Sequence, residues 1–274
     1  MGNLETAIVL GIVEGVTEYL PVSSTGHLII VGHLLGFVGD KASRFEVAIQ
    51  SGAILAVVLL YWKRFVGLLP FSHGAAGGAV SALSGWGGLW RIALATFPTL
   101  LVGFLGRHWI QENLFTPRVV TSALVAGGVA ILIVERCAGK KAAGSLDALT
   151  SAQALGIGLF QVLALWPGTS RAAATILGGM LLGLNRKGAA EFSFLIAVPV
   201  LTAATGYQLL RMHDDASAGE LMQFAVGFLV SFLSAALAVK TFVSFLSRWS
   251  LVPFAWYRLL VAPVFHWLTR GASL

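Results

Sequence analysis

The sequence predicts an all-α polytopic membrane protein: an inverted-topology repeat with six spanning helices and two re-entrant helix-turn-helix hairpins. Three observations carry that prediction. Of 274 residues, 57% are hydrophobic and only 11% charged, with a mean hydropathy of +0.85, which is more apolar surface than a soluble core of this size needs. The apolar residues fall into ten segments. Two short hydroxyl-rich turns interrupt them, Pro21-Val22-Ser23-Ser24-Thr25-Gly26-His27 and Pro167-Gly168-Thr169-Ser170-Arg171.

In chain order the segments cover about 4–20, 26–37, 45–62, 90–106, 118–135, 152–166, 172–184, 190–210, 222–247 and 252–270. The third, fourth, fifth, eighth, ninth and tenth approach the ~20 residues that cross ~30 Å of hydrocarbon. The other four form two pairs, each broken at one of the turns. Such a break is tolerated at membrane depth where irregular backbone lines a polar cavity, so each pair reads as a re-entrant hairpin. Trp62, Trp86, Trp90, Trp109, Trp249 and Trp267 lie near segment ends, as residues that favour the headgroup interface do.

The two halves resemble each other. Pro21 to Ser24 aligns with Pro167 to Ser170 at a spacing of 146, Phe45 to Ile49 with Phe192 to Ile196 at 147, and Pro117 to Ala126 with Pro253 to Ala262 at 136. The nearly constant spacing of the first two matches, with the third, weaker in identity, in the same order, suggests a duplicated unit, with repeats of about 1–137 and about 150–274 in a single integral membrane domain, 1–274. One hairpin and three spans per repeat would invert the second copy. Lys63, Arg64, Arg136, Lys140, Lys141, Arg186 and Lys187 then share one side, with Lys240 and Arg248 near it, and Asp214, Asp215 and Glu220 take the other. The basic side is expected to be cytoplasmic.

The net charge of +6 belongs to these loops and to an anion site. The basic residues are scattered between apolar segments, so no nucleic-acid partner is expected. Cys137 is the only cysteine, which excludes an intrachain disulfide and a cysteine-based metal site.

Polar groups inside apolar segments are costly, about 2.5–3.5 kcal/mol for a central charged residue on translocon scales, and so they mark a site. Glu14 and Glu18 are four apart and share a helical face, where two carboxylates repel unless a divalent hard cation, a shared proton or an arginine lies between them. Ser24 and His27 are three apart, a spacing that suits a nucleophile and its base, although Ser-Ser-Thr ahead of a helix is also an ordinary N-cap. In the second turn Gly168 lets backbone N–H groups approach a phosphate. Thr169 and Ser170 add hydroxyls, Arg171 offers a planar fork, and Thr175 stands one turn further on. Helix N-termini follow both turns, so their free N–H groups are expected to converge on one anion.

The run from Glu14 through Glu18 to Pro21-Val22-Ser23-Ser24-Thr25-Gly26-His27, the segment Phe45-Glu46-Val47-Ala48-Ile49-Gln50, and Pro167-Gly168-Thr169-Ser170-Arg171 with Thr175 resemble the undecaprenyl-diphosphate phosphatase family, also called bacitracin-resistance proteins. The resemblance spans nearly the whole chain. It implies a homodimeric, multi-pass enzyme of the bacterial inner (cytoplasmic) membrane that removes the terminal phosphate of undecaprenyl diphosphate with the help of a divalent cation, Mg²⁺ or Ca²⁺, at a site open to the periplasmic side. Its partners are then the polyprenyl diphosphate and membrane lipids. By position, Glu14 and Glu18 match the acidic, metal-holding motif, Ser24 the nucleophile, His27 the acid/base and Arg171 the phosphate clamp, with Ser23, Thr25, Gly168, Thr169, Ser170 and Thr175 binding substrate. Ala172 and Ala173 stand where the family has a serine and a glycine, so one hydroxyl donor is lost. The rival class is a flippase or transporter of a lipid phosphate or other anion, because inverted repeats with broken helices also build transporters.

Overall fold

The computed structural model describes residues 3–70, 81–138, 142–210 and 217–269. Lys140, Lys141, Asp214 and Asp215, used above in the charge argument, lie outside the described residues. Among the described residues eleven α-helices run in order: α1 Asn3–Thr17, α2 Ser24–Leu35, α3 Asp40–Leu60, α4 Trp62–Gly67, α5 Gly85–Asn113, α6 Pro117–Cys137, α7 Ser151–Val162, α8 Arg171–Leu181, α9 Arg186–Leu209, α10 Ala218–Leu246 and α11 Val252–Leu268. No strand is formed among the described residues. All ten apolar segments are helical, and α4 is an addition.

The helix starts follow local chemistry. Thr150 with Gln153 and Ser217 with Glu220 form capping boxes on α7 and α10, Asn185 caps α9, and Thr116 caps α6 ahead of Pro117, each satisfying N–H groups that have no partner inside the helix. Gly36 adopts a left-handed conformation (φ 66°) to end α2.

Among the described residues five helices, α3, α5, α6, α9 and α10, are long and apolar enough to cross a membrane, which makes this a multi-pass membrane architecture. The expected sixth, α11, has 17 residues, roughly 26 Å at 1.5 Å per residue, short of a ~30 Å core. Thus five spans, not six, meet the length criterion. All six tryptophans named above are exposed.

Helix α10 packs along both α1 and α3, α5 along α7, and α11 along α6. The first arm of each helix pair therefore leans on a long helix from the other half of the chain. Gly15 permits one of these contacts: a Cβ there would collide with Ser234 Oγ and the Ser231 carbonyl on α10. Helix α8 is buried from Ala172 to Met180 in the main core.

One end of the bundle is basic. Arg64 bonds Asp147, Arg186 holds Glu135 through Nε and Nη2 at 2.6–3.1 Å, and Glu135 also accepts from the Leu251 N–H at 2.7 Å. The Arg64 guanidinium and the Ser81 hydroxyl hold the Asp147 carboxyl below its ordinary range. At the opposite end of α3, Arg44 and Lys41 reach Glu220 at 3.5 and 3.9 Å.

Candidate active site

The turns after α1 and α7 share one backbone shape. Ser23 (φ 76°) and Ser170 (φ 72°) are the two non-glycine residues with positive φ among the described residues, a conformation that costs a residue with a Cβ about 1–3 kcal/mol and collects at functional sites. Each caps the helix that follows. Ser23 Oγ accepts from the Gly26 N–H at 3.4 Å and Ser170 Oγ from the Ala173 N–H at 3.2 Å. These equivalent serines are 147 apart, so aligning proline with proline at 146 is one residue out. The register comes from the caps and matches that of Phe45 and Phe192. Ser24 and Arg171 then hold the same place, the first residue of α2 and of α8.

Glu18 joins them. Its Oε2 accepts the Ser24 hydroxyl at 2.6 Å and its Oε1 accepts Arg171 Nη2 at 3.1 Å, while the carboxylate is only 7% exposed. Arg171 is thus one neighbour of the Glu18 carboxylate. The other arm of the fork, Arg171 Nη1, donates to the Ser193 carbonyl at 3.0 Å and to Ser193 Oγ at 3.3 Å. Thr175 is fully buried, and its hydroxyl lies 2.6 Å from Ser193 Oγ. Tyr19 lies under the guanidinium at 5.5 Å and donates to the Ala53 carbonyl. Arg171 Nε is buried without a hydrogen-bond partner.

Glu14, one turn before Glu18, is 2% exposed, and its Oε2 is likewise buried with no hydrogen-bond partner. An unpaired carboxylate oxygen is costly in such surroundings. It fits a cation ligand. No group of three or more His, Cys, Asp or Glu placed to hold a metal occurs among the described residues, so a hard cation here would draw further oxygens from phosphate, the usual habit of Mg²⁺.

His27 is occupied elsewhere. Its Nδ1 lies 2.7 Å from the Ser23 carbonyl and its Nε2 2.6 Å from Tyr257 OH, with the two rings stacked. A carbonyl only accepts, which puts a proton on Nδ1 and leaves Nε2 of the neutral ring to accept from Tyr257. The expected contact with Ser24 is not made, because the Ser23 carbonyl captures the nitrogen on that side.

A cavity of about 680 Å³ joins these groups, within the range of ligand pockets. Glu14, Glu18, Ser23, Ser24, Thr25, Gly168, Ser170 and Arg171 line its polar part, and Leu28, Ile29, Phe37, Val38, Phe115 and Leu201 its apolar walls. His27, Thr169 and Thr175 do not line it. Glu46 and Gln50 do, and neither carried a role from sequence, although a lone carboxylate in the third apolar segment is the same membrane-cost signal that marked Glu14. Ser193 and Tyr257 had no such signal.

Residues 7–264 match the family described as bacitracin resistance protein BacA. The chain belongs to that family. An undecaprenyl-diphosphatase of Maridesulfovibrio salexigens is 54% identical over 269 residues, 97% of this chain and 100% of the relative. Those of Desulfovibrio desulfuricans and Nitratidesulfovibrio vulgaris are each 52% identical over 270 residues, 97% of this chain and 98% of the relative. In this BacA-family chain, Ala172 and Ala173 are buried and lie off the cavity wall. A hydroxyl at either position would face packed core, so its loss takes nothing from the cavity lining.

Proposed function

We propose that the chain hydrolyses undecaprenyl diphosphate to undecaprenyl phosphate and inorganic phosphate, recycling the lipid carrier of bacterial cell-wall synthesis. The observation that carries this reading is the Ser24 hydroxyl bonded to a buried Glu18 that is ion-paired to Arg171, at the polar end of a cavity with apolar walls. A diphosphate headgroup suits the first and a prenyl chain the second. The names of the relatives agree.

Ser24 Oγ attacks the terminal phosphorus and its proton passes to Glu18 Oε2 along the 2.6 Å bond. A Ser–O–P bond forms, the bond to the bridging oxygen breaks, and undecaprenyl phosphate leaves. Water then opens the phosphoserine; the Glu18 proton returns to Ser24 Oγ, and the second water proton leaves on dihydrogen phosphate. Arg171 and the N-termini of α2 and α8 neutralise charge on the transferring group. Glu14, with Glu18 on the same face, would hold Mg²⁺ or Ca²⁺, which when bound supplies positive charge against the phosphate oxygens.

The membrane placement follows from charge. Lys63, Arg64, Arg136, Arg186 and Lys187 gather at one end, the cytoplasmic side on this reading. Phe37 to Gly39, Phe115, Gln208 and Thr269, which line the cavity, sit at helix ends opposite to it. The site then opens to the periplasmic face of the inner membrane, and the α1–α2 and α7–α8 pairs re-enter from opposite sides as an inverted repeat.

The test is phosphate release by protein in detergent micelles given undecaprenyl or farnesyl diphosphate with Mg²⁺ or Ca²⁺. Hydrolysis needs only the assembled site, whereas transport needs two compartments. Silent micelles, together with vesicles in which the protein moves the lipid phosphate between leaflets, would overturn the reading in favour of a flippase.

A further inference from the structure

Arg258, on α11, is the largest fully buried side chain among the described residues, with 0% exposure. None of the ion pairs among the described residues includes it. A buried arginine in a membrane protein pairs with a carboxylate or with main-chain carbonyls; this one takes five carbonyls. Nη1 donates to Pro21 O at 3.2 Å and Thr169 O at 2.9 Å, Nη2 to Gly168 O and Ala123 O at 2.9 Å each, and Nε to Leu124 O at 3.2 Å.

All five N–H donors of the guanidinium are thereby used. Three of the acceptors belong to the two turns, and Pro21 and Gly168 are 147 apart, equivalent positions two residues before Ser23 and Ser170. One planar group thus touches the same peptide in both turns and ties the pair to α6. We propose that Arg258 is a positioning residue for the reaction: it fixes the separation and orientation of the two turns, and with them the alignment of Ser24 and Glu18 against Arg171. The inference rests on the phosphatase reading for its kinetic consequence only.

Two further features fit this role. In a trans peptide the C=O and N–H point in opposite directions, so holding Thr169 O aims the Ser170 N–H away from Arg258. The neighbouring Tyr257 holds His27 on α2, so consecutive residues of α11 grip both the helix and the turns. Gly127 makes room for the guanidinium. A Cβ at that position would overlap Nη2 and Cζ.

A lysine keeps the charge but presents three donors from one point, and it cannot span both turns. Arg258→Lys and Gly127→Ala should each lower kcat by about 100-fold, the scale of a 1 Å misplacement of reacting groups. They should also weaken binding of inorganic phosphate read by calorimetry. Arg186→Lys, at the basic end, should lower the thermal midpoint while leaving phosphate affinity unchanged. If Arg258→Lys does not fold, Gly127→Ala decides. Unchanged kcat and phosphate affinity alongside a lowered midpoint would reduce Arg258 to a fold-stabilising tie and overturn the proposal. A wild type that binds phosphate without turnover would sink the phosphatase reading, while the calorimetric comparison still decides this one.

Discussion

The Ser24 hydroxyl donates a hydrogen bond to Glu18 Oε2 at 2.6 Å across the turn that separates α1 from α2. Glu18→Gln preserves size and removes the acceptor for a proton in transit, so kcat should fall about 10²–10⁴-fold, the usual range for general-base help. Ser24→Ala should abolish turnover and a labelled phosphoenzyme that is trapped in the wild type. Substantial hydrolysis by Ser24→Ala would rule out the covalent route and leave water as the direct nucleophile.

The His27 ring is spent on the Ser23 carbonyl and on Tyr257. His27→Ala and Tyr257→Phe should therefore cost similar, modest amounts of kcat/KM, roughly 2- to 10-fold for the loss of one ordinary hydrogen bond. The double variant should lose less than the two combined, since both remove one tie. A His27→Ala variant as inactive as Glu18→Gln, beside an unaffected Tyr257→Phe, would return the role of base to His27.

Arg171 reaches Glu18 with one arm and Ser193 with the other. A lysine cannot span both, so Arg171→Lys should lose most of kcat/KM despite keeping its charge. Thr175→Val, which removes only the hydroxyl bonded to Ser193, should fall between that variant and the wild type. Steady-state kinetics on the purified proteins settles the order, and a near-normal lysine variant would count against the clamp.

Glu14 carries the unpartnered carboxylate oxygen. EDTA should silence the enzyme, and Glu14→Gln should raise the Mg²⁺ or Ca²⁺ concentration needed for half-maximal rate more than it lowers the rate at saturation. Hydrolysis that persists in EDTA would remove the cation from the mechanism.

Topology is open to labelling. In a Cys137→Ser background, single cysteines at Ser145, beside the Arg64–Asp147 pair, and at Ser217, beside Glu220, should react with impermeant reagents from opposite faces of the membrane. Reaction of both from one face would break the inverted arrangement.

The helices were legible because apolar length is a strong signal, and the site was legible because Glu14, Glu18, Ser24 and Arg171 are polar groups in apolar surroundings. Partner choice was not. The spacing of Ser24 and His27 suggests a contact only if nothing else competes for the imidazole, and the carbonyl of Ser23, turned by its positive φ, does compete. Matching proline with proline hid the equivalence of Ser23 and Ser170, because the shared feature is a backbone angle and not a residue type. Arg258 was readable in principle as the one charge inside the last apolar segment, Arg270 standing at its very end. What it binds is main chain, which leaves no mark in the sequence.

The packing of α1 on α10 has a consequence for biosynthesis. About 200 residues separate the end of α1 from the start of α10, so at about 5–20 residues per second the ribosome takes on the order of 10–40 s to supply the surface on which the first hairpin rests. During that interval Glu14 and Glu18 are already in the nascent chain, while Arg171 and its helix arrive only towards the end. Membrane insertion of this protein is therefore a wait: its most polar hairpin must be sheltered by water, lipid headgroups or the insertion machinery until the second half of the chain arrives to receive it.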